Sequence, residues 1–204
     1  MPRAFSTEEK ERIRGLLLEK GKELFSQYGL KKTGVTDLAK AVGIAQGSFY
    51  LFFNSKEELY FKVLEVEEEV IRGQFIESLM DGRIMNREKF KDFLHRALEV
   101  FNENPLIRRL WVDKEIDTLL ERLPREMLDK HTIRDTDALA PLIMHWQSEG
   151  AMLKDSPEVL AGVIRSLFFL PLHRDEIGED IFPRVVDLYI EFVANGLIKH
   201  SCNE

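Results

Sequence analysis

A single cysteine stands in this chain of 204 residues, Cys202, and it has no partner for an internal disulfide. That excludes a disulfide-stapled scaffold and fits a reducing compartment. Long hydrophobic runs are lacking as well. The most apolar stretch, Leu167–Leu172, contains Pro171 and is far shorter than the roughly 20 residues a membrane span requires. No signal peptide is recognisable ahead of Ser6, so the expected location is the cytoplasm and no membrane partner is expected. Positive charge is also in short supply. The formal net charge is −7, which argues against a protein that coats nucleic acid indiscriminately. Alternating strand patterns, internal repeats and low-complexity segments are all missing, and the periodicity points to an all-α chain of about nine helices.

What is present is uneven. Residues 1–60 carry ten Lys/Arg against eight Asp/Glu, whereas the remainder carries nineteen against twenty-eight. A small, mildly basic head is thus joined to an acidic body. With 44% hydrophobic residues the chain can build real cores, and two domains are expected, 1–54 and 55–204.

The head has its own punctuation. Ser6 and Glu9 have capping-box spacing, which predicts a first helix running to Tyr28 with Gly29 as its stop. Ile13, Leu17, Leu24 and Tyr28 are placed on its inner face. Thr33 is the expected cap of a second helix, with Gly34 inside the first turn. Leu38, Ala39 and Val42 form an apolar stripe that Gly43 interrupts. Ile44, Phe49 and Tyr50 resume it on a third helix over about 45–51. Two short helices joined by a glycine-bearing turn make a helix-turn-helix, whose second helix can enter the DNA major groove. Ser55 and Glu58 then open a long helix to about Met80, a linking element between the domains.

The body reads as helices only. Asp81-Gly82 ends the linking helix, and Phe90, Phe93, Leu94, Ala97 and Phe101 recur at helical spacing after it. Asn104-Pro105 is a cap followed by proline at the first helical position. Pro124 opens a helix to Glu149, with a kink or break expected at Pro141. Ser156-Pro157 starts another to about Leu172, and the last spans about 180–200. The wide apolar faces of these last two helices predict a dimer interface.

In the head, Ala39–Ile44, then Gly47-Ser48-Phe49-Tyr50, then Phe53–Leu59 closely resemble the DNA-binding signature of the TetR family of bacterial transcriptional regulators. The resemblance covers about residues 8–60. It implies an N-terminal three-helix DNA-binding domain, a larger helical ligand-binding and dimerisation domain, and a homodimer joined through the last two helices. It further implies a repressor of a palindromic operator that a small effector releases. Gly34 departs from the family pattern, which has a second threonine there.

Candidate contacts follow from residue type. Gln46 offers a bidentate amide to adenine, Ser48 a short hydroxyl, and Gly47 a close backbone approach. Thr33, Val35 and Thr36, at the cap and in the first turn of the second helix, are further candidate contacts to the groove or backbone. Tyr50 and Lys56 are the expected phosphate ligands, Lys56 standing at a helix N-terminus. Phe49, Phe52 and Phe53 are assigned to packing. Lys31, Lys32 and Arg3 add charge nearby.

For the effector, Phe93, Phe101, Trp111, Met144, Trp146 and Phe168 are the candidate lining, read equally as core or dimer contacts. Arg108, Arg109 and His145 are possible polar groups beside them. The expected ligand is largely apolar. Enzyme readings find no support, so no catalytic residue, cofactor or metal is called. The five histidines have no metal-ligand spacing, and His131 and Asp135, four apart, read as a surface pair. His173-Arg174-Asp175 lacks every other kinase element, and nucleophile elbows and phosphate loops are missing. The rival reading is a helical ligand-binding or scaffolding dimer whose helix-turn-helix no longer meets DNA.

Overall fold

The computed structural model describes residues 5–79, 85–112 and 115–199, and the side chains of all of these except 74–79, 111–112 and 131–138. Among the described residues the chain is helical throughout: α1 (Thr7–Lys32), α2 (Val35–Ala41), α3 (Gln46–Phe49), α4 (Lys56–Leu79), α5 (Arg87–Glu103), α6 (Pro105–Val112), α7 (Glu115–Arg122), α8 (Arg125–Ser148), α9 (Pro157–Ser166), a 3-10 segment (Leu167–His173), α10 (Arg174–Ile177) and α11 (Phe182–Leu197). These fall in two compact units. One comprises residues up to 70 together with 104–125; the other comprises 71–103 and 126 onwards.

The first unit is the head with an addition. The Ser6 hydroxyl accepts from Glu9 N at 3.1 Å and the Glu9 carboxylate accepts from Ser6 N at 2.8 Å, the expected capping box. Gly29 interrupts α1 at φ 78°, ψ 170°, so the regular helix stops where the glycine predicts. The inner face of α1 is Ile13, Leu17, Gly21 and Phe25, all buried, and not Leu24 and Tyr28; Tyr28 is 47% exposed. A strict four-residue step carries the stripe, and Gly21 lets α4 come close, since a Cβ there would stand 3.3 Å from Leu59 Cδ2. Phe25 meets Tyr60 edge-on at 4.9 Å, and the Tyr60 hydroxyl donates to Leu106 O at 3.3 Å. Burying rings of this size contributes about 1.5–3 kcal/mol each. The addition is α6–α7, which packs on α1. Asn104 caps α6 as expected, accepting from Leu106 N and Ile107 N at 3.0 and 3.3 Å.

The second unit packs α5, α8, α9 and α11 around Phe90, Leu94, Ile143, Trp146, Ile164 and Ile190. Phe90 meets Trp146 edge-on at 5.9 Å. α8 runs unbroken through the exposed Pro141, which costs one backbone donor without ending the helix. α9 starts at the predicted Ser156 cap but ends at Ser166, short of Leu172. The chain tightens there into the 3-10 segment containing Pro171, which has no N–H for a helical bond. An isolated bridge between Met152 and Ile198 ties the end of α11 to the loop after α8. The expected end of the linking helix at Met80–Gly82, Arg3, Cys202 and His200 lie outside the described residues, and the His131–Asp135 pair outside the described side chains.

Candidate nucleic-acid interface

The helix-turn-helix is held from behind by its aromatics. Phe49 and Phe53 are almost fully buried with Leu38 and Ala39, and Phe52 is 8% exposed, so all three phenylalanines pack as expected. Gly43, at φ 73°, makes the turn between α2 and α3. The Arg14 guanidinium donates to Phe52 O at 2.8 Å and lies 4.4 Å above the Phe53 ring, fastening α1 to the segment after α3. With its back packed, this motif turns a small polar surface outward. Gln46, Gly47 and Thr36 are exposed, and Tyr50 is 55% exposed with its ring edge-on to Phe49. Val35 and Ser48 are half-buried. Added atoms at Gly47 would meet nothing within 4 Å, so its backbone is open to approach.

Two expected contacts are redirected. Thr33 is 2% exposed, and its hydroxyl donates to Gly29 O at 2.8 Å. It closes the end of α1 and does not cap α2, and its side chain is not presented to phosphate. The cap position of α2 is Gly34, whose N–H donates to Asp37 Oδ2 at 3.1 Å. A Cβ at residue 34 would stand 3.0 Å from that same carboxylate oxygen. Lys56 is likewise turned inward. Its ammonium donates to Leu30 O at 2.6 Å and Thr33 O at 2.9 Å, placing a cation on the carbonyl end of α1. The carbonyls left without partners by the break at Gly29 attract the lysine more closely than solvent does.

That same helix end is held from α6 and α7, which no local pattern announces. Arg109 donates to Ser26 O at 3.0 Å and Gln27 O at 2.8 Å, so its guanidinium is engaged with the end of α1. Glu115, only 3% exposed, accepts from Leu30 N at 2.7 Å. Ser55 accepts from Glu58 N at 3.0 Å, but Glu58 reaches back to Asn54, whose N and Nδ2 both lie 2.8 Å from its carboxylate. Arg122, at the end of α7, pairs with Glu57 at 3.5 Å. A shallow concavity of about 360 Å³ gathers Val35, Gln46, Tyr50, Lys56, Glu57 and Arg122 on one surface.

Against this geometry, residues 17–63 match the family model of bacterial regulatory proteins of the tetR family. Residues 17–63 thus carry the TetR-family signature. Similarity to the HTH-type transcriptional repressor KstR2 of Rhodococcus jostii is 36% identity over 81 residues, which covers 40% of this chain and 40% of that protein. The fold extends further than the sequence likeness. A TetR-family transcriptional regulator from Pectobacterium atrosepticum superposes with a TM-score of 0.69 at 20% identity, covering 93% of this chain and 94% of that one. RolR, in complex with resorcinol, superposes with a TM-score of 0.62 at 16% identity, covering 93% of this chain and 96% of that chain. The chain therefore shares its fold with TetR-family regulators over most of its length, and its sequence likeness to them is concentrated in the helix-turn-helix domain.

The effector candidates separate into three groups. Trp146 is 2% exposed in the core of the second unit, with Phe93 packed against it at 6.5 Å between ring centres. Phe101 and Phe168 meet at 5.0 Å and are both half-buried. Met144 is 52% exposed and points away from that core, and the Trp111 side chain lies outside those described. His145 is exposed beside Glu149. Among the described residues no group of three metal-ligating side chains gathers, and no helix is long and apolar enough to cross a membrane.

Proposed function

We propose that this protein is a cytoplasmic, ligand-responsive repressor that binds a palindromic operator as a homodimer. The observation that carries the DNA reading is the exposure of Gln46, Gly47, Tyr50 and Thr36 on a helix-turn-helix backed by buried Phe49 and Phe53. In this reading Gln46 meets a base edge, Gly47 and Ser48 allow α3 to lie close in the major groove, and Val35, Thr36 and Tyr50 meet the flanking strand. Lys56 and Thr33 act one step back, by holding the end of α1 that positions α2.

Homodimerisation is assigned to α9 and α11. Val159 is 54%, Leu188 37% and Phe192 68% exposed, an apolar surface that a lone unit leaves wet. Residues 1–54 serve as reading head and 55–204 as the effector-binding and dimerisation part. A small, largely apolar effector is assigned to the aromatics around Phe93 and Phe101, in keeping with the resorcinol bound by RolR. The chain passes between its two compact units within α4, before α6 and after α7. α4, with α6–α7 latched to α1 by Arg109 and Glu115, is thus the path by which an effector alters the head. A coupling of about 1–3 kcal/mol lowers operator affinity roughly 5- to 150-fold.

The test is a mobility shift on duplexes that the protein selects from a random-sequence pool, repeated over a salt titration. A palindromic consensus and a steep loss of affinity with salt are expected. Failure to select any duplex leaves the scaffolding dimer as the reading.

A further inference from the structure

The concavity beside α3 contains two cations, Lys56 and Arg122. The ammonium of Lys56 is spent on the carbonyls of α1. Arg122 is different: its side chain is 65% exposed, and it reaches Glu57 through one nitrogen at 3.5 Å. Glu57 has a side chain only 7% exposed, in the first turn of α4, on the same concavity as Gln46 and Tyr50. A shielded carboxylate at that place repels any phosphate that approaches Tyr50 unless a cation stands over it. A guanidinium has five donors in a planar fork, so one edge can face Glu57 while another meets a phosphate.

We propose that Arg122, carried by α7 outside the helix-turn-helix, is a DNA-backbone ligand of the reading head. It neutralises Glu57 with one edge and holds an operator phosphate beside Tyr50 with the other. The proposal rests on the DNA-binding reading above, and adds to it a contact from a helix far along the chain. Being a phosphate contact, it supplies affinity and register without selecting bases.

The experiment measures binding of wild type, R122A, R122Q, E57Q and the R122A/E57Q pair to a duplex selected by the wild type and to a scrambled duplex, from 50 to 300 mM salt. Each phosphate contact contributes about 0.9 to the slope of log affinity against log salt. A dimer losing one contact per protomer should show a slope shallower by about 2, with affinity falling about tenfold per half-site on both duplexes alike. R122Q, which keeps the side-chain stem, should behave as R122A does. The pair should stay weak and shallow, because removing the charge of Glu57 does not restore a phosphate ligand. An R122A slope equal to that of wild type overturns the proposal. Recovery of wild-type affinity in the pair also overturns it, by showing that Arg122 merely neutralises Glu57. A wild type that binds no duplex sinks the DNA reading together with this one; a steep wild-type slope shared by R122A sinks this one alone.

Discussion

Replacing Lys56 by methionine removes the charge and keeps the stem, which makes it the sharpest test of how the head is assembled. The ammonium lies 2.6 Å from Leu30 O and 2.9 Å from Thr33 O, with Lys31 O further off at 3.4 Å. Hydrogen bonds from a charged donor are worth about 1.5–3 kcal/mol each when shielded. Here the lysine is half-buried, so water partly replaces it at both carbonyls. A net loss of about 2 kcal/mol is expected for the two together. For a chain of this size that lowers the melting midpoint by about 4–8 °C, measured at one fixed protein concentration. DNA affinity should fall as the junction of α1 and α2 loosens, yet the salt slope should stay as in wild type, since no phosphate ligand is lost. Thermal unfolding followed by circular dichroism reads the first effect, and the salt titration reads the second. An unchanged midpoint with a slope shallower by about 1 per protomer would refute the reasoning and return Lys56 to the phosphate backbone.

Gly29→Ala should destabilise by about 2–4 kcal/mol in urea unfolding. A side chain is strained at φ 78°, and its Cβ would stand 2.6 Å from the Glu115 oxygen that accepts from Leu30 N. Gln46→Ala should leave the unfolding midpoint unchanged and cost about 1–3 kcal/mol of discrimination at one base pair per half-site, read by competition among operator variants. Equal binding to every variant would remove Gln46 from the base-reading set. Phe192→Asp, at a position 68% exposed, should alter the fold of one chain little but shift sedimentation at micromolar concentration from dimer to monomer. A dimer that persists would move the interface away from α11.

The all-α class, the helix-turn-helix and most helix starts were legible in the sequence because they are set by neighbours a few residues apart. Ser6, Asn104 and Ser156 each accept from a helix N–H within one turn, Pro105 and Pro157 have no N–H that needs a partner, and the structure places helices after all three caps. Gly29 and Gly43 were legible as stops for the same reason, since a positive φ is a property of a single residue. Exposure of Gln46 and burial of Phe49 followed from the same short-range pattern. What the sequence left open was the use of long polar side chains. Lys56 at a helix N-terminus reads as an anion ligand, and only the fold brings it onto the carbonyls of a helix more than twenty residues earlier. Thr33 reads as a cap for the helix that follows it, but the broken end of α1 claims its hydroxyl first. The return of α6 and α7 to the head, with Arg109 and Glu115 latched to α1 and Arg122 beside Glu57, has no periodicity to announce it. A flexible charged side chain goes to whichever unsatisfied group lies within its reach, and that reach is set by tertiary packing, not by distance along the chain.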